Sequence, residues 1–182
     1  AAMAGALAAA LASMVANLTI GKEKFADREP EVKELLQQAE AERVRLLELV
    51  DEDAAVFNSF MSCYKLPKAT DEEKAARTAA IRAAAKQAAT VPLNIARSAF
   101  AVLKLADRLV VAGNPGVITD GACSGLLARA ALRCAEYNVR INLGLTKDEV
   151  WNAQAAAELE QLLSDAEALE NRLLAVTDKA LQ

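Results

Sequence analysis

Residues 1–21 read AAMAGALAAALASMVANLTIG, the longest run in the chain without a charged side chain, and its reading decides the fold. At ~100° per residue, Met3, Leu7, Leu11, Met14 and Leu18 fall on one side of a helix. Gly5, Ala9, Ala12 and Ala16 fall on the other, with Ser13 and Asn17 one turn apart on the flank. A helix apolar all round belongs in the interior, and its small-residue side lets another backbone approach closely. Three readings compete. A membrane span needs about 20 apolar residues, and the length fits. Alanine contributes little transfer energy, however, and no other segment supports membrane residence. A signal peptide wants a basic start and a cleavage site, and neither is visible. The central helix of a soluble bundle is the expectation.

The totals agree with a helical reading. At 182 residues the chain makes one domain, expected to span residues 1–182, with a substantial core. Hydrophobic residues make up 54% and aromatics only 4%, so that core must be built largely from Ala, Leu and Val. Such a composition suits closely packed helices rather than a sandwich or barrel. The net charge of −4 gives no electrostatic footprint for nucleic acid. No histidine is present, which removes the usual neutral-pH general base and the commonest metal ligand. Cys63, Cys123 and Cys134 follow no metal-binding spacing and would leave one thiol over as disulfides. Buried free thiols in a reducing, cytoplasmic compartment are expected.

Outward from the opening run, Pro30 is placed to start a helix reaching Tyr64, with the stripe Val32, Leu35, Leu36, Ala39, Leu46, Val50, Ala54, Phe57, Met61 and Tyr64. Thr70-Asp71-Glu72-Glu73 predicts a capping box and an Ala-rich helix to about Ala89, which Val91-Pro92 should kink or interrupt. Helical spacing resumes at Ile95 and runs to Leu109, before the turn Gly113-Asn114-Pro115-Gly116. The next segment, opened by Thr119-Asp120-Gly121 and ended by Gly144, carries Cys123, Leu127, Ala130, Cys134 and Ile141 along one side. Thr146-Lys147-Asp148-Glu149 predicts a second capping box, leading a last helix from Val150 to Val176. The fold class is all-α, an up-and-down bundle of five or six helices.

Chemistry without histidine falls to carboxylates, amides and lysines. In Asp51-Glu52-Asp53, helical projection turns Asp53 inward with Val50 and Phe57, whereas Asp51 and Glu52 point away. A carboxylate in an apolar stripe loses hydration and holds its proton to higher pH unless it is paired. That is the tuning of a general acid or base; the alternative is a structural ion pair with a basic residue of another helix. Asn138 and Asn142 lie one turn apart and suit either the donor–acceptor edge of a heterocycle or the satisfaction of helix ends. Asp120 reads as a cap, and Lys22, Lys65 and Lys68 as exposed connector residues with the capacity to hold an anion.

Six segments occur in this order: ALAAALASMVANLTIGK (6–22), LVDEDAAVF (49–57), YKLPKATDEEKAAR (64–77), VPL (91–93), the pair Gly113-Asn114 with Thr119-Asp120, and NVRINL (138–143). Together they resemble the cyclodeaminase/cyclohydrolase family of folate enzymes over nearly the whole chain. The resemblance implies a multi-helical bundle that forms a homodimer and a tetrahydrofolate derivative as substrate, with no metal, no redox cofactor, no nucleic acid and no membrane. It implies hydrolysis of 5,10-methenyltetrahydrofolate to 10-formyltetrahydrofolate, or closure of 5-formiminotetrahydrofolate with loss of ammonia. Both reactions pass through a tetrahedral carbon between N5 and N10. The family's proton-transfer acid matches Asp53, with Asp51 the second candidate. Lys22, Lys68, Asn138 and Asn142 match positions around the pteridine and glutamate tail, Ser13 and Asn17 would complete the wall, and Asp120 joins the substrate-binding set. The family also carries a Gly-rich segment before the first helix, a position where this sequence starts at Ala1. No formiminotransferase domain is expected ahead of Ala1. With the KLPKATDEEKAAR run (65–77), this favours the cyclohydrolase branch.

Overall fold

The uncharged run forms a helix, α1 (Ala2–Asn17), but not the central one. In the computed structural model, which describes residues 1–182, α1 buries its small face: Gly5, Ala8, Ala9, Ala12 and Ala16 are covered. Its large residues Met3 and Leu7 are 59% and 55% exposed, and Met14 and Leu18 are also exposed. All-round burial is therefore not found. Close approach explains the choice of face: Gly5 lies so near Leu46 that a Cβ there would sit 3.0 Å from a Leu46 methyl.

Four more helices follow: α2 (Glu29–Cys63), α3 (Asp71–Ala112), α4 (Ile118–Thr146) and α5 (Glu149–Ala180). Short 3-10 turns, Glu23–Phe25 and Pro115–Val117, sit before α2 and α4. Successive helices run antiparallel, as their cross-links show. Gly5 meets Leu46, Arg108 pairs with Glu31 at 2.7 Å, and Arg129 and Arg140 pair with Glu170 and Glu160 at 3.1 and 2.7 Å. The second half of α3 and the small-residue face of α4 form the centre, where Ile95, Val102 and Leu103 meet Ala128, Leu132 and Val139. No helix is long and apolar enough to cross a membrane.

Several local expectations change. The Thr70–Glu73 capping box forms, with Thr70 Oγ1 accepting from Glu73 N at 3.2 Å and Glu73 reaching back to Thr70 N. Pro92 does not interrupt the chain, because α3 is one helix of 42 residues. On α4 the predicted stripe is the outer one: Cys123, Ala130, Cys134 and Ile141 are exposed, while Ala128, Ala131, Ala135 and Val139 are buried. The thiols are free, but only Cys63 is partly covered. Asp120 lies in the first turn of α4 and caps nothing, and the helix runs past Gly144 to Thr146.

The second capping box does not form, since Asp148 is the cap of α5, accepting from Trp151 N at 3.1 Å. Lys86, 2.8 Å away, and then that amide hold the Asp148 carboxyl below its ordinary range. Arg97 does the same to Glu158 through two bonds of 2.6 Å. With Asp107, 2% exposed and bridged by Arg172, these pairs dock α5 along α3.

Candidate active site

Along the inner stripe of α2, Leu46 and Leu49 are fully buried, Leu46 against Gly5 in the first turn of α1. One turn further along α2 the same inward direction opens into a cleft. Val50, Asp53, Ala54, Val56, Phe57 and Phe60 form one wall of a cavity of about 360 Å³. Ala88 and Pro92 of α3 form its floor, and Asn138 and Asn142 of α4 its opposite wall. That volume lies in the range of small-molecule sites, which are mostly apolar with a few directing polar groups.

Asp53 is the only titratable residue in this lining. It is exposed, and it takes part in no ion pair and no side-chain hydrogen bond. The expected burial of this carboxyl is thus not found. Periodicity pointed it the right way, but no helix covers it. The structural ion pair is not found either, since no Lys or Arg reaches it. A wider cleft of about 500 Å³, at the other end of α3, differs in this respect. Its charges are matched, Arg108 to Glu31, Arg172 to Asp107 and Arg28 to the Val111 carbonyl.

The amide of Asn142 donates to Ala88 O at 2.8 Å and to Asn138 O at 2.9 Å, and that of Asn138 donates to Cys134 O at 2.9 Å. Neither Oδ1 has a partner within the chain, so both are available to a ligand. The structure therefore brings together Asp53, Asn138 and Asn142, which are far apart in sequence.

It does not bring the other candidates to them. Asp51 is exposed and outside the lining, while its neighbour Glu52 pairs with Arg45 at 2.8 Å. Ser13 is buried in the α1–α2 seam near Glu40, without a well-formed hydrogen bond. Asn17 turns back onto the Ser13 carbonyl at 2.9 Å. Lys22 precedes the first 3-10 turn, and Asp120 lies at the start of α4 beside that end of α1. These four sit towards the opposite end of α1 from the cleft. Lys68 is exposed in the loop between α2 and α3, outside the lining. Phe57, Phe60, Ala88 and Pro92 were not singled out as site residues. A proline inside a helical run was the available signal, because it leaves a carbonyl unpaired one turn earlier.

A lone carboxylate among aromatic and aliphatic walls, with two asparagine side chains in the same lining, suits a flat, cationic or N–H-rich ligand. The carboxylate can take a proton from a nucleophile or return one to a leaving nitrogen.

Comparison with known proteins gives the same direction. The formiminotransferase-cyclodeaminase family model matches residues 1–161. A protein of Methylorubrum extorquens named methenyltetrahydrofolate cyclohydrolase is 43% identical over 173 residues, covering 95% of this chain and 83% of that one. The formimidoyltransferase-cyclodeaminase of Sus scrofa is 32% identical over 166 residues; the match takes in 91% of this chain but only 31% of that protein. A crystal structure of formiminotetrahydrofolate cyclodeaminase from Thermotoga maritima superposes with a TM-score of 0.88 at 28% identity, over 100% of this chain and 86% of that one.

Proposed function

The chain belongs to the formiminotransferase-cyclodeaminase family, and on that footing we propose that it is a methenyltetrahydrofolate cyclohydrolase with Asp53 as its proton-transfer group. The observation carrying this reading is the unpaired Asp53 carboxylate in an apolar-walled cleft of small-molecule size. The substrate is a cation, its positive charge spread over N5, the bridging carbon and N10. A site whose only charge is one carboxylate attracts it, and displacing water from the cleft strengthens that attraction.

Water adds to the bridging carbon as Asp53 accepts its proton. The resulting tetrahedral carbon carries a hydroxyl group between N5 and N10. Asp53 returns that proton to N5 and the C–N5 bond breaks, while the freed carboxylate takes the hydroxyl proton as the carbonyl forms and then gives it to solvent, leaving 10-formyltetrahydrofolate. Phe57 and Phe60 supply apolar surface for the pteridine, with Asn138 and Asn142 opposite. The lysines and the Ser13–Asn17 flank do not line this cleft, so a role for them needs a second subunit or a long substrate tail.

Cyclodeaminase activity is the second reading, favoured by the likeness to the Thermotoga maritima enzyme. Offering both substrates separates the two. The expected result is loss of the methenyl chromophore faster than in buffer, with little ammonia released from 5-formiminotetrahydrofolate. Ammonia release without faster chromophore loss would overturn the choice.

The working unit is a homodimer in the cytoplasm, a compartment that suits three unpaired thiols. Met3, Leu7, Met14 and Leu18 of α1 lie exposed, and α1 is joined to α4 where Ser124 Oγ donates to Ala8 O at 2.7 Å. A two-fold contact must match itself, and an uncharged apolar face does so without pairing charges. Leu7→Glu is expected to convert the dimer to a folded monomer in sedimentation. A variant that stays dimeric would place the contact elsewhere.

A further inference from the structure

Proline at position 92 has no amide hydrogen, so the carbonyl of Ala88, four residues earlier, lacks its helical partner. Helix α3 nevertheless continues through both residues. The missing donor comes from another helix: Asn142 Nδ2 lies 2.8 Å from Ala88 O. Its second amide hydrogen goes to Asn138 O at 2.9 Å. With both hydrogens committed to main-chain carbonyls, the amide has only one acceptable orientation. Turned over, it would set Oδ1 against two carbonyl oxygens. Its free atom is then an acceptor in the wall of the cleft that holds Asp53.

We propose that Pro92 and Asn142 form a matched pair: the proline strips the Ala88 carbonyl, and that carbonyl fixes the Asn142 amide so that Oδ1 faces the ligand. Asn142 is on this view a positioned acceptor that selects an edge bearing N–H groups, such as the 2-amino and N3–H edge of a pterin, and disfavours a carbonyl edge. The choice of pterin rests on the folate reading above, whereas the pairing of Pro92 with Asn142 does not.

Two measurements test it. The first needs no ligand: urea midpoints of the parent, Pro92→Ala, Asn142→Ala and the double variant. In the parent, Asn142→Ala strands the Ala88 carbonyl and lowers the midpoint. With alanine at 92 the helix supplies its own donor, and the same truncation should have less than half that effect. Equal losses in both backgrounds overturn the pairing.

The second is the steady-state rate with 5,10-methenyltetrahydrofolate. Because Pro92 itself lines the cleft, the KM cost of Asn142→Ala is read in both backgrounds: about tenfold in the parent, the value of one hydrogen bond, and within about twofold with alanine at 92, where the amide is already free to rotate. Equal KM ratios in the two backgrounds overturn the acceptor role. A parent protein inert towards both folates defeats the proposed function and the pterin assignment, while the urea cycle still decides the pair.

Discussion

Asp53→Asn is expected to reduce loss of the methenyl chromophore by about 10²- to 10⁴-fold, the usual contribution of a positioned proton-transfer group. Asparagine keeps the size of the side chain and one oxygen but cannot take up a proton at neutral pH. The same substitution should leave the fold almost untouched. Asp53 makes no hydrogen bond or ion pair within the chain, so its replacement strands no partner. A change within about 0.5 kcal/mol is expected, as at other surface positions free of special contacts. Asp51→Asn provides the control two residues away. Its side chain is exposed outside the cleft lining, and turnover should match the parent. A protein serving only as a helical scaffold would give identical traces for both variants. Retention of more than a tenth of the parent rate by Asp53→Asn, with melting intact, would remove Asp53 from the mechanism.

That contrast between two neighbouring acids was legible in the sequence, but the exposure of Asp53 was not. Steps of 3 and 4 turn Asp53 the same way as Leu46 and Leu49, and the structure agrees. What covers a stripe, however, is a tertiary fact. Here Leu46 is covered by Gly5 of α1, whereas Asp53, two turns on, lines an open cleft. The same limit explains α1 and α4. Both have a large apolar face and a small one, and periodicity finds both faces without ranking them. Hydrophobicity favours Met3, Leu7, Cys123 and Ile141 for the interior, yet the structure buries Ala8, Ala12, Ala128 and Ala135. Small residues let backbones approach until Ser124 bonds directly to the Ala8 carbonyl, a contact that larger side chains would prevent.

Pro92 shows a local rule overridden at a distance. A kink or interruption was expected at Val91-Pro92; Pro92 leaves the Ala88 carbonyl without a helical donor, and the donor that it finds belongs to Asn142, in another helix. Lys22, Lys68 and Asp120 entered as matches to a family pattern. A match in order along the chain carries no distance in space, so it could not place them near Asp53. The capping box at Thr70 needed only four consecutive residues and formed as read.

The turn Gly113-Asn114-Pro115-Gly116 was equally legible as a turn, but not as the clamp that it is. Asn114 N donates to Thr19 Oγ1 at 2.8 Å, and Asn114 Nδ2 to Leu18 O at 3.1 Å, tying the end of α1 to the α3–α4 connection. Gly113 donates to Leu109 O at 2.8 Å, so the backbone has little freedom to move away. A Cβ at Gly113 would lie 2.5 Å from that carbonyl oxygen and 3.0 Å from a Val15 methyl. Its backbone is in an ordinary region, φ −75°, so the obstacle is contact rather than conformation. Gly113→Ala should therefore cost about 3 kcal/mol, the upper range for overpacking, and lower the melting temperature by roughly 10 °C. Gly144→Ala should do the opposite. That glycine is exposed within α4, and a Cβ there meets nothing within 4 Å. Alanine removes backbone freedom from the unfolded chain and should add about 0.5–1 kcal/mol in chemical denaturation. If Gly113→Ala melted with the parent, the turn would have to yield by a few tenths of an ångström while holding Asn114 against α1. Its two bonds to Leu18 and Thr19 would then survive that shift, and the Gly113 contact would not limit stability.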